Sequence, residues 1–137
     1  MSLEQIGGLT LFIQIEPTSE IPIYTQLVNQ LMELIATGTM KPSDSLPSVR
    51  SLASDLGVNM HTVNKAYHEL ERKNIIQIIP KSGAVVNVIP STGPNELQIE
   101  YIKQMMKPLI AESIVYGMDK DQISSIVNSI ITEISEG

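Results

Sequence analysis

The sequence predicts a mainly α-helical fold (α+β) with a small β component, and three features between residues 21 and 89 indicate it. Apolar residues recur at helical spacing in three successive segments. Gly57 places a tight turn between the second and third of these segments. Two β-branched runs, 75–79 and 84–89, then flank a turn sequence at 80–83. Three helices followed by a β-hairpin are the pattern of a winged helix-turn-helix, in which the hairpin is the wing.

The first predicted helix spans Ile21 to Thr37. Pro22 suits its first turn, because that position does not need a backbone N–H. Gly38 ends the helix, and a turn at 41–44 follows. One face of the helix is apolar and is formed by Leu27, Leu31, Leu34 and Ile35.

The second and third predicted helices begin at residues that can cap them, Ser48 and Asn59. The second helix has a helical apolar period that ends at Gly57 and comprises Val49, Leu52, Ala53 and Leu56. One side of the third helix is apolar, at Val63, Ala66, Tyr67 and Leu70. Its opposite side carries His61, Asn64, Lys65, His68 and Arg72. The third helix therefore packs through one face and keeps the other free for binding.

Three further segments lie outside the winged helix predicted for 21–89. Residues 1–20 contain an apolar, β-prone run, which predicts an N-terminal arm or a short strand. Residues 90–94 combine Pro, Ser, Thr and Gly and predict a linker. Residues 95–137 predict a long helix, which Pro108 should kink or split, and then a last helix.

The two C-terminal helices carry more apolar surface than a hairpin can bury. Asp119 and Gln122 form a capping box for the last helix. Its apolar residues keep the spacing i, i+3, i+4, i+7 and are Ile123, Ile126, Val127, Ile130, Ile131 and Ile134. The preceding helix adds Tyr101, Met105 and Leu109. We predict that these nine residues form a dimer interface, because a second copy of the chain can cover them.

Charge is distributed unevenly along a chain whose formal net charge is −6. Residues 41–81 contain six basic and four acidic residues, a local charge of +2. The rest of the chain contains three basic and eleven acidic residues, a charge of −8. Cations are therefore concentrated in the predicted helix-turn-helix and wing, as binding to phosphates requires.

Several classes of protein are disfavoured. The chain has no cysteine, so disulfides and thiolate zinc sites are excluded. His61 and His68 lack a third ligand in register, so we expect no metal. Glycine-rich phosphate loops, nucleophile elbows and zinc-protease motifs are absent, so we expect neither an enzyme nor a cofactor. No run reaches about 18 apolar residues and no basic signal-peptide start occurs, which favours a cytoplasmic protein without a membrane partner.

The helix-turn-helix region resembles the GntR family of transcriptional regulators. The family signature, PSxRxLAxxLGVxxxTVxxAYxxLExxG followed by a short wing, is matched in register by Pro47, Ser48, Arg50, Leu52, Ala53, Leu56, Gly57, Val58, Thr62, Val63, Ala66, Tyr67, Leu70 and Glu71. Upstream, the segment from Ile21 to Ser48 is similar to the family's first helix and loop. With its short C-terminal segment, the chain is most similar to the YtrA-type branch.

This resemblance implies which residues contact DNA. The family uses an arginine at the position of Arg50 to contact phosphate or a guanine edge. Ser48 is expected to add a contact, although capping alone is an equally good interpretation. The first turns of the third helix, which normally reach bases and phosphates, carry Asn59, Met60, His61, Thr62, Asn64 and Lys65.

Within that helix, individual residues are expected to act differently. Thr62 matches a family threonine and is expected to bind phosphate. Met60 departs from the arginine of many relatives and offers apolar contact, for example to a thymine methyl group. His61 and Lys65 are the best candidates for polar readout of bases.

At the wing tip, relatives often place a glycine between basic residues that probe the minor groove. Here the tip is formed by Lys81, Ser82 and Gly83, and Pro80 and Ser82 depart from that pattern. Lys81 is expected to contact phosphate, and Ser82 and Gly83 are expected to contact DNA beside it. Gly83 is also expected to have a positive φ.

The function that the resemblance implies is sequence-specific binding of double-stranded DNA by a homodimer at a palindromic, inverted-repeat operator. The YtrA-type branch further implies repression of the protein's own operon, often one that encodes an ABC transporter. Two alternatives stay open: a metabolite-sensing regulator with a small-molecule effector at the dimer interface, and a winged-helix module for protein interaction. The cations gathered at 41–81 favour DNA over the second alternative.

Overall fold

The computed structural model describes residues 12–136, which form two compact units divided between Val88 and Ile89. The described part of the first unit contains α1 (Ile23–Ala36), β1 (Ser45–Leu46), α2 (Val49–Leu56), α3 (Met60–Arg72), β2 (Ile76–Ile79) and β3 (Gly83–Val86). The described part of the second contains α4 (Glu96–Val115) and α5 (Lys120–Glu136). The predicted mainly α fold with a β-hairpin wing is confirmed.

Local capping explains where α2 and α3 begin. The Ser48 hydroxyl accepts a hydrogen bond from the Ser51 N–H at 3.1 Å, and the Asn59 side chain accepts one from the His61 N–H at 2.7 Å. Gly57 ends α2 in the left-handed conformation, with φ +69°. Both predicted caps and the predicted turn are therefore confirmed.

The sheet contains a strand that the sequence pattern did not predict. The three strands are antiparallel in the order β1-β3-β2, with Leu46 paired to Ala84 and Ile78 paired to Ala84 from the other side. The Val86 N–H continues the β1–β3 ladder by donating to the Asp44 carbonyl at 2.9 Å. A strand of two residues has no alternating pattern, so tertiary pairing alone defines β1.

One hydrophobic core joins the helices to the sheet. Its largest fully buried side chains are Tyr67, Leu27, Leu31, Met40, Leu52, Leu70, Ile76 and Val63. The Tyr67 hydroxyl donates to the Pro47 carbonyl at 2.8 Å, and burial raises the pKa of this hydroxyl. The predicted apolar face of the third helix therefore packs against the segment that leads into α2.

Two glutamines of α1 hold the segment 13–16, which forms no strand, against the helix. The Gln30 side chain accepts from the Gln14 N–H at 2.8 Å and donates to the Gln14 carbonyl at 2.7 Å. Gln26 does the same for Glu16, at 2.8 and 3.0 Å. Ile13 between these contacts is buried. Of the predicted arm at 1–20, the first eleven residues lie outside the described part of the chain, and the rest contains this docked segment.

The second unit leaves its apolar residues exposed. A capping box of Asn95 and Gln98 begins α4, and the predicted box of Asp119 and Gln122 is confirmed before α5. The α4 helix runs through Pro108 as one element, so the expected split does not occur. Neither helix has a buried residue.

Candidate nucleic-acid interface

The first turns of α3 present side chains to solvent. Asn59, Met60, His61, Asn64 and Lys65 are exposed, and Thr62 is half-buried. The buried residues of α3 are Val63, Ala66, Tyr67 and Leu70, so the predicted division into a packed and a free face is confirmed. Met60 is 41% exposed, and its thioether side chain therefore offers an accessible apolar surface on a polar face.

Ser48 and Arg50 lie at the start of α2 but differ in their availability. The Arg50 side chain is exposed. The Ser48 hydroxyl accepts from the Ser51 N–H and donates to the Ser51 hydroxyl at 2.9 Å, and the residue is half-buried. Capping therefore occupies Ser48, whereas Arg50 can extend its guanidinium to a phosphate or a base edge.

Lys65 has a contact that sequence reasoning missed. Its ammonium nitrogen lies 3.9 Å from the centroid of the Tyr24 ring, at the start of α1. This is a cation–π geometry, which limits the positions that the lysine head group can adopt. Tyr24 is three residues before Leu27 and seven before Leu31, so periodicity alone assigns it to the packed stripe of α1 and gives no signal of this contact.

Farther along α3, the predicted free face carries residues that contact their own helix. Arg72 pairs with Glu69 at 2.5 Å, and Lys73 lies 3.8 Å from the same carboxylate. The hydrogen bond from Arg72 lowers the pKa of Glu69. The His68 ring lies 2.9 Å from the Asn64 carbonyl. These side chains therefore contact their own helix, whereas most side chains of its first turns are open to solvent.

At the wing tip, Lys81 and Ser82 are exposed, and Lys81 has φ +69°. The Ser82 N–H donates to the Ile79 carbonyl at 3.0 Å and closes the turn. Gly83 has the predicted positive φ, +107°, but it is buried. A Cβ there would lie 2.7 Å from the Leu46 carbonyl oxygen, so this glycine allows β3 to approach β1. The expected contact of Gly83 with DNA stays a prediction.

Neither a metal-holding cluster nor a membrane-spanning helix occurs among residues 12–136. Across 12–136, no group of three or more His, Asp or Glu side chains is arranged to hold a metal ion. Within the same residues, no helix combines the length and the apolar character that a membrane span needs. The surface instead combines polar side chains on α3 with the cations Arg50, Lys65 and Lys81.

A helix with an exposed polar face, a shorter helix before it and a wing with a cation at its tip define the winged helix-turn-helix class of DNA-binding proteins. Residues 23–86 match the family described as bacterial regulatory proteins, gntR family. The chain belongs to this family and is similar to its YtrA-type members.

Individual relatives support this assignment. The HTH-type transcriptional repressor YtrA of Bacillus subtilis is 38% identical over 125 residues, which cover 91% of this chain and 96% of that protein. The transcriptional antiterminator from Listeria monocytogenes EGD-e has a TM-score of 0.82 at 27% identity, with 90% and 92% of the two chains covered. YtrA from Sulfolobus acidocaldarius, a GntR-family transcription factor, has a TM-score of 0.58 at 41% identity, with 73% and 98% covered. The protein is thus a DNA-binding transcriptional regulator and not an enzyme.

Proposed function

We propose that this regulator is a cytoplasmic repressor that binds an inverted-repeat operator as a homodimer. The exposed first turns of α3, together with the exposed cations Arg50 and Lys81, are the observation that carries the proposal. A relative of almost the same length is named a transcriptional repressor, which supports the direction of regulation. The proposed target is the protein's own operon, with an ABC-transporter operon as the specific candidate.

In the proposed complex, α3 enters the major groove through its N-terminal turns. Asn59, Met60, His61, Asn64 and Lys65 face the bases and flanking phosphates because they are exposed there. Arg50 binds a phosphate or a guanine edge, Thr62 and Lys81 bind phosphates beside the groove, and Ser82 accompanies Lys81 at the tip. Ser48 contributes through its cap to the position of Arg50.

Pairing through the second unit is the other part of the proposal. Six of its predicted interface residues are between 44% and 66% exposed: Tyr101, Met105, Leu109, Ile126, Ile130 and Ile131. Ile123, Val127 and Ile134 are half-buried. Water contact with so many large apolar side chains is unfavourable, at about 25 cal/mol per Å², and a second copy would remove it. In this scheme residues 21–89 bind DNA, residues 90–94 form the linker and residues 95–137 pair the two subunits.

Two paired subunits would present two recognition helices to one face of the duplex. Half-sites about 34 Å apart, one turn of DNA, suit such a dimer. Linkage of the two binding events raises the affinity for the full operator without any new contact.

The test is a mobility shift and a footprint on the DNA upstream of the protein's own gene, at several salt concentrations. We expect protection of an inverted repeat and an affinity that falls steeply with salt. Arg50→Ala and Lys65→Ala should each weaken binding by about 1 to 3 kcal/mol if they read bases, with the fold intact in both variants. Absence of protection at low salt, or wild-type affinity in both variants, would contradict the proposed surface.

A further inference from the structure

Glu71 connects the end of α3 to the wing. Its carboxylate oxygen Oε2 accepts a hydrogen bond from the Ile78 backbone N–H at 2.9 Å, and both residues are half-buried. A negative charge between the recognition helix and the wing repels DNA phosphates, so its presence needs a structural explanation.

The position of β2 in the sheet supplies that explanation. Because the strand order is β1-β3-β2, β2 is an edge strand and has a strand partner on one side only. Edge strands expose backbone groups that need another partner. The Ile78 N–H has such a partner in the Glu71 carboxylate. Because this acceptor is charged, the hydrogen bond is stronger than one to a neutral acceptor.

The contact lies nearer to the wing tip than the hydrogen bonds at the base of the hairpin. At the base of the hairpin, Ile76 is buried, and Asn87 binds the carbonyls of Asn74 and Ile75 at 2.9 and 3.0 Å. Ile78 is two residues beyond Ile76 and three before Lys81. Glu71 therefore acts on the half of β2 that leads directly into the tip.

We propose that Glu71 is a positioning residue that holds the wing against the recognition helix and thereby places Lys81 for its phosphate contact. This proposal rests on the proposed DNA surface. Without this hydrogen bond, Ile78 is held by its pairing with β3 and by the packing of its side chain against the core, so the tip is less firmly placed and must be further ordered when DNA binds. That ordering lowers affinity even though no DNA-contacting side chain has been removed.

A role of Glu71 through its charge and a role in positioning the wing predict opposite changes in DNA affinity when the carboxylate is removed. The direction of the change therefore discriminates between the two roles. Removal of an acidic residue from the interface strengthens DNA binding if charge alone matters. Glu71→Ala should instead weaken operator binding about fivefold, the effect of one lost hydrogen bond. Glu71→Gln keeps an acceptor oxygen and should bind as tightly as the wild type or more tightly.

Glu69 provides the matched control on the same helix. It pairs with Arg72 and Lys73 instead of the wing, so Glu69→Gln should bind DNA as tightly as the wild type or more tightly. In a Lys81→Ala background, Glu71→Ala should have little further effect, because it acts through Lys81. Wild-type affinity for Glu71→Ala, or additive losses in the double variant, would overturn the proposal.

Amide hydrogen exchange separates this proposal from the DNA-binding proposal, because it needs no DNA. Glu71→Ala should accelerate exchange at Ile78 and at the tip, and Glu71→Gln should not. Failure of the wild-type protein to bind its upstream DNA would contradict the proposed function and leave this readout in place. Unchanged exchange at Ile78 in Glu71→Ala would overturn the role of Glu71 itself.

Discussion

At the scale of single residues, the backbone of Lys81 has an unfavourable conformation at a site of proposed function. Its φ of +69° lies in the left-handed region, which costs an L-residue about 1 to 2 kcal/mol. Asn74 has φ +62° at the end of α3, but asparagine tolerates this region better than lysine does. A long cationic side chain at the strained position indicates that charge at the tip is more important there than local stability.

Replacement of Lys81 by glycine should therefore separate stability from DNA binding. Lys81→Gly should stabilise the fold by about 0.5 kcal/mol, because steric relief exceeds the entropy that glycine loses on folding. Binding should weaken on all DNA sequences, and the salt slope should fall by about one for each wing. Urea unfolding and salt-dependent mobility shifts measure these effects.

Asn74→Gly is the control for Lys81→Gly, because it relieves the backbone without removing a cation. It should raise stability less than Lys81→Gly does, because asparagine tolerates a positive φ better than lysine, and it should leave DNA affinity unchanged. If Lys81→Gly bound DNA with wild-type affinity and salt dependence, the wing tip would have no role in binding phosphate.

The Tyr24 ring beside Lys65 permits a second test at this scale. Tyr24→Leu removes the ring face, so the lysine head group becomes less restricted and DNA binding should weaken by about 0.5 to 1 kcal/mol. Tyr24→Phe keeps the ring and should bind like the wild type in the same titration. Equal losses in the two variants would instead assign the effect to the Tyr24 hydroxyl.

At the scale of elements, α5 has two faces of opposite chemistry. Ile126, Ile130 and Ile131 are about half exposed on the apolar side. Ser125, Asn128, Ser129 and Thr132 line a shallow depression on the polar side. A helix with this pattern and no buried residue needs a partner for its apolar side.

Ile130→Asp in the full chain should abolish pairing, because the proposed interface would then bury an unpaired carboxylate. Ser129→Asp introduces the same charge on the polar side and should leave pairing intact. Sedimentation should show a dimer for the wild type and for Ser129→Asp and a monomer for Ile130→Asp, with operator affinity reduced in the monomer. A dimer of Ile130→Asp would place the interface elsewhere.

At the scale of the whole molecule, the two units differ in charge as well as in fold. The residues after Val88 include three lysines and seven acidic residues, a net charge of −4, whereas 41–81 has a charge of +2. The acidic second unit does not attract phosphates. Counterion release on DNA binding should therefore come from the few cations of the first unit, which makes binding to nonspecific DNA weak and recognition dependent on a paired site.

The sequence predicted the order of elements in the first unit with few errors. Helix boundaries at Ser48, Gly57 and Asn59 depend on contacts within three or four residues, which a local pattern contains. Of the two outcomes expected at Pro108, the split does not occur, because α4 continues through the proline as one helix, and the kink stays a prediction. β1 was missed, because two residues carry no periodicity.

The sequence by itself determined the class of fold, the packed and open faces of α3, the caps and the apolar character of the last helix. Each depends on which residue types recur at a spacing of a few positions, because that spacing fixes the face of a helix or strand on which the side chains lie. The tertiary structure alone decided that Tyr24 lies under Lys65, that Glu71 binds the edge of β2 and that Gly83 faces the β1 backbone. These contacts join different elements, and local periodicity carries no information about which elements pack together.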